Sequence, residues 1–304
     1  VKISIVGAAG TLGSSVAFNI AIHHLADEIV MFDIKQNVLM HHAMDISTAM
    51  TGQDVLVRAG ADEDISGSDI IIITAGVPLG TTTSRMEWLP QNLPIIRNIM
   101  QKIKQYCPEA VVITATNPVD PLNYAAYLCS NSDRRRFIGY SLNDSIRFRM
   151  LVAQALGVKS SQVEGTVIGE HGDNQVLLFS SIRVNGKTVS VNEDFKQNIK
   201  QQVANIIPSY AALKVGRTQG WTSAVGLASI VNAISKNTEE MLPCSVVLDG
   251  EYGCQGLSMG VPTIIGQGGV HNVLEWELAS DEHEELEHSI NILKVAMTQM
   301  LSLL

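Results

Sequence analysis

The 304-residue chain predicts an α/β protein, with a doubly wound parallel sheet over residues 1–142 and an α+β second domain over residues 143–304. Three observations carry that prediction. The first thirty-three residues run strand, glycine turn, helix, strand, acid. Residues 69–74, D-I-I-I-I-T, form a continuous apolar run of the kind buried on both faces of a parallel sheet. From about Asn143 the regular alternation gives way to hairpin signals and long helices.

Residues 2–6, K-I-S-I-V, are rich in β-branched side chains and read as a buried strand. Gly7-Ala8-Ala9-Gly10-Thr11-Leu12-Gly13 follows at once, then a helix over residues 14–24 and a strand over 28–32 that ends in Asp33. In that context the glycines read as a dinucleotide site. Gly7 allows the tight turn, Gly10 lets the backbone approach a pyrophosphate, and Gly13 lets helix and strand pack closely. The helix start, with Thr11 and Leu12, offers N–H groups and a positive dipole end to phosphate. Asp33 lies twenty residues after Gly13, where a carboxylate accepts hydrogen bonds from ribose hydroxyls and repels a 2′-phosphate. NAD is therefore expected over NADP, with Lys35 close by. The spacing is G-x-x-G-x-x-G, and glycines alone would equally suit a loop that needs positive φ. The flanking strand and helix select the nucleotide reading.

A helix over residues 36–50 and a strand over 54–58 come next. The apolar strand 69–74 is broken by Ala75-Gly76-Val77-Pro78. Residues 80–84 are small and polar, with three threonines before Arg85, and read as a mobile loop. Residues 87–106 are helical, but Pro90 and Pro94 suggest a bent or two-part helix. A strand over 110–115 ends in Thr116-Asn117-Pro118-Val119-Asp120. Ligands of doubly wound sheets bind at the carboxyl ends of strands, which places Thr74, Ala75, Gly76, Thr116 and Asn117 at the cofactor. In the second half, a helix over 143–156 ends at Gly157, and a strand over 163–168 runs into Gly169-Glu170-His171-Gly172-Asp173. Asn185-Gly186 between β-formers over 182–191 signals a hairpin. Helices follow over 193–214 and 222–236, mixed strand and turn over 246–265, and a last helix from Asp281, with Glu284 completing a capping box.

Composition excludes several classes. With 46% hydrophobic and 17% charged residues the chain is not disordered. Its net charge is −9, and the one cationic run, Arg134-Arg135-Arg136, reads as a solvated turn before a strand, so no nucleic-acid partner is expected. An acidic protein that handles an anion must do so with local arginines. Cys107, Cys129, Cys244 and Cys254 form no C-x-x-C pair, which fits free thiols in a reducing cytoplasm. No apolar run reaches about 18 residues, so no membrane span is expected. The chain begins directly in a strand, and no signal peptide is expected.

Four features then need chemistry. His171, between glycines after an apolar strand, is placed as a general acid/base, although a lone histidine is more often structural or a metal ligand. Its acidic neighbours Glu170 and Asp173 make no recognised metal spacing. Asp144 and Arg147 stand at i and i+3 on one helix face, which on its own is an ordinary ion pair. Arg85 alone would be a surface arginine, and Asn117 a turn residue. The pairs His23-His24 and His41-His42 sit in predicted helices where adjacent side chains diverge, and are read as non-functional.

Together these residues resemble the lactate/malate dehydrogenase family over nearly the whole chain. The matching segments are G-A-A-G-T-L-G, Asp33, T-A-G-V-P with Arg85, T-N-P-V-D, D-S-I-R-F and I-G-E-H-G-D, in the family's order. The resemblance implies a Rossmann domain followed by an α+β catalytic domain, NAD as cofactor, a small 2-hydroxy or 2-oxo acid as substrate, and a homodimer or homotetramer. It implies that His171 takes the hydroxyl proton, that Asp144 orients it and stabilises its charged form, and that Arg147 grips the substrate carboxylate. Arg85 corresponds to the loop arginine that polarises the reacting carbonyl, and Asn117 to the asparagine beside nicotinamide and substrate oxygen.

Two positions depart from the family. Malate enzymes usually carry arginine six positions before the loop arginine and many lactate enzymes glutamine; this chain has Leu79. Leucine cannot pair a second carboxylate, so an apolar-tailed monocarboxylate is favoured over malate. On the pocket helix, Trp221 stands where the family is usually small or threonine, with Thr222 next; Trp221 either reshapes the pocket or is core. Arg217 lies one turn earlier and could pair a distal carboxylate, which would restore malate. Two other classes stay open: an NAD- and metal-dependent glycosidase, and a binding protein without turnover.

Overall fold

The computed structural model describes residues 1–77, 85–215 and 219–304. The first half alternates strand and helix: β1 (Lys2–Val6), α1 (Thr11–Ile22), β2 (Glu28–Phe32), α2 (Gln36–Ala49), β3 (Leu56–Ala59), β4 (Ile70–Ile73), α3 (Leu89–Tyr106), β5 (Val111–Thr114), α4 (Val119–Ser130) and β6 (Phe137–Gly139). These six strands lie parallel in the order β3-β2-β1-β4-β5-β6. The order reverses between β1 and β4, the point beyond whose carboxyl strand ends a doubly wound sheet has its ligand crevice. β4 is four isoleucines, all fully buried, because helices cover both faces of the sheet.

The second half comprises α5 (Leu142–Leu156), β7 (Val163–Gly169), β8 (Gln175–Val184), β9 (Lys187–Thr188), α6 (Glu193–Ala212), α7 (Trp221–Lys236), β10 (Glu240–Asp249), β11 (Gln255–Gly266), β12 (Gly269–Val273) and α8 (Ser280–Leu303). Its strands pair antiparallel, and β10 joins β6 through Ser245 opposite Gly139 and Val246 opposite Ile138. One sheet therefore runs through both halves, from β3 to β9. A large apolar core follows the sheet and includes α7, α8, β10 and β11. A second cluster under α6 packs Phe148 edge-on to Phe179, with ring centroids 5.3 Å apart.

The doubly wound sheet is as the alternation predicts, and Asn185 and Gly186 adopt φ of +50° and +74° in the expected hairpin turn. Other local expectations need correction. α4 carries no clear helical period, because it is buried on nearly every side between α3, α8 and the β10–β11 hairpin, and its Pro121 falls in the first turn, where no donor is missed. α3 is one helix from Leu89 despite its prolines: Pro90 occupies the first turn, and Pro94 loses one bond only. The last helix starts at Ser280, not Asp281. Glu282, not Glu284, caps it, accepting the Ala279 N–H at 3.2 Å. The same buried carboxylate accepts from Ser180 N–H at 2.8 Å and from its hydroxyl at 2.6 Å, tying α8 to β8. Ala279 has no side-chain oxygen, so the box is half made.

Candidate active site

One edge of the crevice is built from glycine. At the end of β1, Gly7 has φ +96°, and a Cβ there would collide with the Ala75 backbone after β4. A Cβ on Gly13 would lie 2.5 Å from Gly7 O and 2.8 Å from Thr74 Oγ1. Gly10, by contrast, caps α1 and would meet only Gly7 O, at 3.3 Å, so its outer face is open to a ligand. Thr11, Leu12 and Gly13 supply the first-turn N–H groups that α1 cannot satisfy itself. Thr74 Oγ1 donates to Val6 O at 3.1 Å and Thr116 Oγ1 to Ala75 O at 2.7 Å, locking the ends of β1, β4 and β5 together. Gly76 fits because a Cβ would lie 2.9 Å from Thr116 Cγ2. Asp33 braces the backbone around it: Oδ2 accepts Ala9 N–H at 3.0 Å and Oδ1 accepts Lys35 N–H at 2.9 Å. Each oxygen keeps a lone pair for a ribose hydroxyl. This set fits a dinucleotide: a steric cradle, the first-turn amides of α1, and a carboxylate where the ribose would lie.

The opposite edge is built from buried charge. Gly169 ends β7 with φ +86° and turns the chain into His171. His171 Nδ1 lies 2.6 Å from Asp144 Oδ2, and both side chains are buried. Asp144 sits in the first turn of α5, where the helix N-terminus favours its negative charge. Arg147 stands one turn on, with a guanidinium nitrogen 3.6 Å from Asp144 Oδ1. The structure thus brings His171, Asp144 and Arg147 together, as the family resemblance implies. Asn117, between the two edges, has its Oδ1 buried without a hydrogen-bond partner among the described residues, an acceptor suited to a ligand donor.

Trp221 is 65% exposed at the first turn of α7, so it is not a core residue. Thr222 is half-buried, and its carbonyl faces the Tyr140 hydroxyl at 3.4 Å. Tyr140 donates to Asn143 Oδ1 at 2.5 Å, and Asn143 Nδ2 donates to Ser223 Oγ at 2.7 Å, so α7 is docked one residue from Asp144. Burial raises the Tyr140 phenol far above its usual range, and it stays a neutral donor. Leu79, Arg217 and the polar stretch 80–84 lie outside the described residues, as does the Arg85 side chain; the Arg85 backbone opens a short 3-10 turn ahead of α3.

Three residues escaped the sequence reading. Asn92 is buried in α3, accepts Val77 N–H at 2.8 Å and donates to Asn117 O at 2.7 Å, so it braces both crevice loops. Its signal was present: an asparagine on the apolar stripe Leu89, Asn92, Leu93, Ile96. Glu170 accepts Asn174 N–H at 3.0 Å and its side-chain amide at 2.6 Å, folding the histidine loop onto itself. Asp120 accepts the His171 N–H at 2.8 Å. Asp120 has no local signal, since it and His171 become neighbours only in the fold, 51 residues apart in sequence.

Residues 1–139 match the family profile described as lactate/malate dehydrogenase, NAD binding domain, and residues 142–304 match its alpha/beta C-terminal domain. The chain is 38% identical over 296 residues to a protein named malate dehydrogenase from Halobacterium salinarum, covering 95% of each. It is 34% identical over 296 residues to one so named from Staphylococcus epidermidis, covering 95% of this chain and 94% of the other. Among solved structures, the malate dehydrogenase of Cryptosporidium parvum superposes with a TM-score of 0.94 at 30% identity, covering 99% of each chain. The lactate dehydrogenase of that organism, complexed with lactic acid and nicotinamide adenine dinucleotide, gives 0.94 at 32% identity, covering 98% and 97%. With both halves matched and the glycine cradle facing a buried histidine–carboxylate pair, the chain belongs to the lactate/malate dehydrogenase family of NAD-dependent oxidoreductases.

Proposed function

We propose that the chain interconverts an L-2-hydroxy acid and its 2-oxo acid, with His171 as the proton carrier and NAD as the hydride partner. The observation that carries this reading is the buried 2.6 Å contact between His171 Nδ1 and Asp144. It commits Nδ1 to the carboxylate, so exchange of the hydroxyl proton falls to Nε2, and the charge left on the ring is offset by Asp144. Arg147 suits a bidentate grip on the substrate carboxylate and Arg85 the polarisation of the carbonyl. Asn117 Oδ1 orients a donor between them. Gly7, Gly10, Thr11, Leu12, Gly13 and Asp33 would hold the dinucleotide, with Thr74, Ala75, Gly76 and Thr116 closing the wall. The nicotinamide, when bound, accepts or returns the hydride. Replacing His171 by Asn tests the reading: NADH oxidation with 2-oxo acids should vanish while NADH binding persists, and retained turnover would sink it.

On substrate, Leu79 favours an apolar-tailed monocarboxylate, because a distal carboxylate beside leucine would be unpaired. Thr222 and the exposed Trp221 at the start of α7 stand as further contacts to the substrate tail. A second reading, malate, is favoured by the 38% identity to a protein named malate dehydrogenase, and it needs Arg217 or a threonine of 81–83 to bind the second carboxylate. The kcat/KM ratio of oxaloacetate to pyruvate and to a branched 2-oxo acid separates them. A tenfold preference for oxaloacetate would overturn the monocarboxylate reading; otherwise Leu79→Arg should pull preference towards oxaloacetate.

The division near residue 142 is supported by the end of the parallel sheet at β6 and the start of α5. Self-association is supported by apolar pairs left exposed at i, i+4 on three helices: Phe18 and Ile22 on α1, Met40 and Met44 on α2, Trp221 and Val225 on α7. A cytoplasmic setting is supported by four free thiols. Among the described residues no helix is long and apolar enough to cross a membrane.

A further inference from the structure

We propose that Asp120 is a positioning residue of the proton relay: its buried carboxylate pins the His171 main chain and adds a second negative charge beside the imidazole. The inference rests on the proposed role of His171.

Asp120 lies in the first turn of α4, three residues past Asn117, and is 2% exposed. Its Oδ2 accepts the His171 N–H at 2.8 Å, across 51 residues of sequence. The neighbouring amides are held otherwise: Glu170 N–H donates to Ser289 Oγ at 2.8 Å, and Gly172 N–H to Glu170 O at 2.9 Å. His171 is thus fixed at two points. Asp120 holds its backbone from α4, and Asp144 holds its ring from α5. Two fixed points on either side of Cα–Cβ leave the ring little freedom to swing, which is the geometry a proton transfer needs. Because α4 also carries the Asn117 turn at its start, a single helix end sets the distance between the asparagine and the histidine.

The charge matters as well as the position. The groups facing Asp120 are His171 and Glu170 from the β7 loop and the Ser245 hydroxyl from β10; Asp144 and Arg147 of α5 stand beyond the imidazole. Burial pushes the Asp120 carboxyl up to about 6, while Ser245 and a charged His171 pull it down. The attraction is mutual, so an ionised Asp120 favours the protonated ring that forms when a hydroxy acid is oxidised.

The test is Asp120→Asn in the full chain, which keeps an acceptor for the His171 N–H and removes the charge. The His171 ring is followed against pH by NMR, alongside steady-state reduction of the best 2-oxo acid. The His171 titration should move down by about half a pH unit or more, and kcat should fall about tenfold with KM within about twofold and NADH binding unchanged. A His171 titration at the wild-type position overturns the proposal whatever kcat does. If the unsubstituted protein turns over no 2-oxo acid, the dehydrogenase reading falls, while the titration still judges the coupling. If the variant does not fold, the Asp120 carboxyl carbon of the unsubstituted protein is followed instead: it should step where His171 titrates, and no step overturns the proposal.

Discussion

At the end of β1 the chain turns through Gly7 and Gly13, which have no room for side chains; at the end of β7 it turns through a loop held by Asp120, Ser289 and Glu170. Both turns put a backbone within reach of the same crevice. The first works by removing atoms. Its contacts are steric and mostly local, apart from Thr74 and Ala75 pressed against Gly13 and Gly7. The second works by burying charge, and apart from the Glu170–Asn174 contact its ties span long stretches of chain: 27 residues from Asp144 to His171, 51 from Asp120, 119 from Ser289 to Glu170. A cradle for a large, flexible cofactor needs shape, whereas a proton carrier needs a fixed orientation and a tuned charge.

The sharpest separation of the two edges comes from His171→Asn. Asparagine cannot exchange a proton near neutrality, so kcat should drop about a thousandfold or more while the NADH dissociation constant stays within about twofold. Stopped-flow hydride transfer and fluorescence titration of NADH measure the two quantities. A comparable loss of NADH binding would mean that the edges are not independent. The converse substitution is Gly13→Ala. Its methyl would lie 2.5 Å from Gly7 O and 2.7 Å from Ala8 Cα, both backbone atoms that cannot rotate away. The expected result is roughly 1–3 kcal/mol of lost stability from overpacking and NADH affinity weakened about tenfold. Thermal melts and the same titration check it; an unchanged melt would show that the β1–α1 packing has slack.

The same contrast explains how much could be read in advance. The nucleotide edge was legible because a glycine pattern, a strand and a terminal acid are consecutive, and so was the doubly wound sheet. His171, Asp144 and Arg147 were legible as residue types with a chemistry, and their meeting followed from the family resemblance rather than from spacing. Asp120 and Glu170 stood inside quoted motifs, yet nothing local says that one holds the other's neighbour. α4 was missed because a helix buried on nearly every side loses its period. Asn92 was the one missed residue with a visible cue, a polar side chain on an apolar stripe.

Burying charge should leave a mark on stability that burying shape does not. The Asp120 carboxyl is raised from an ordinary 3.8 to about 6 by burial. Between those values the folded chain keeps a proton that the unfolded chain has lost, so stability falls as pH rises through this window. Above about pH 6 the folded protein holds the buried ion at a cost of roughly 3 kcal/mol at most, and below about pH 4 the cost is gone. Asp120→Asn should therefore melt at or above the wild-type temperature at pH 7.5, with the advantage shrinking by pH 5, even as turnover falls. Calorimetry at the two pH values decides; a variant less stable at pH 7.5 than at pH 5, relative to wild type, would contradict the burial argument.

The smallest effect concerns the carboxylate on the steric edge. Asp33 spends one lone pair of each oxygen on backbone, Ala9 N–H and Lys35 N–H, and faces the ribose end with the others. Its negative charge is what should discriminate against a 2′-phosphate, and Lys35 would favour that phosphate once the carboxylate is gone. Asp33→Ser keeps an oxygen near Ala9 and removes the charge. The NADPH to NADH ratio of kcat/KM should rise about tenfold, near 1.4 kcal/mol, with part of the gain coming from weaker NADH binding. If the ratio does not move while NADH binding weakens, Asp33 serves the glycine turn through Ala9 rather than the ribose, and even this charge belongs to the shape of the cradle.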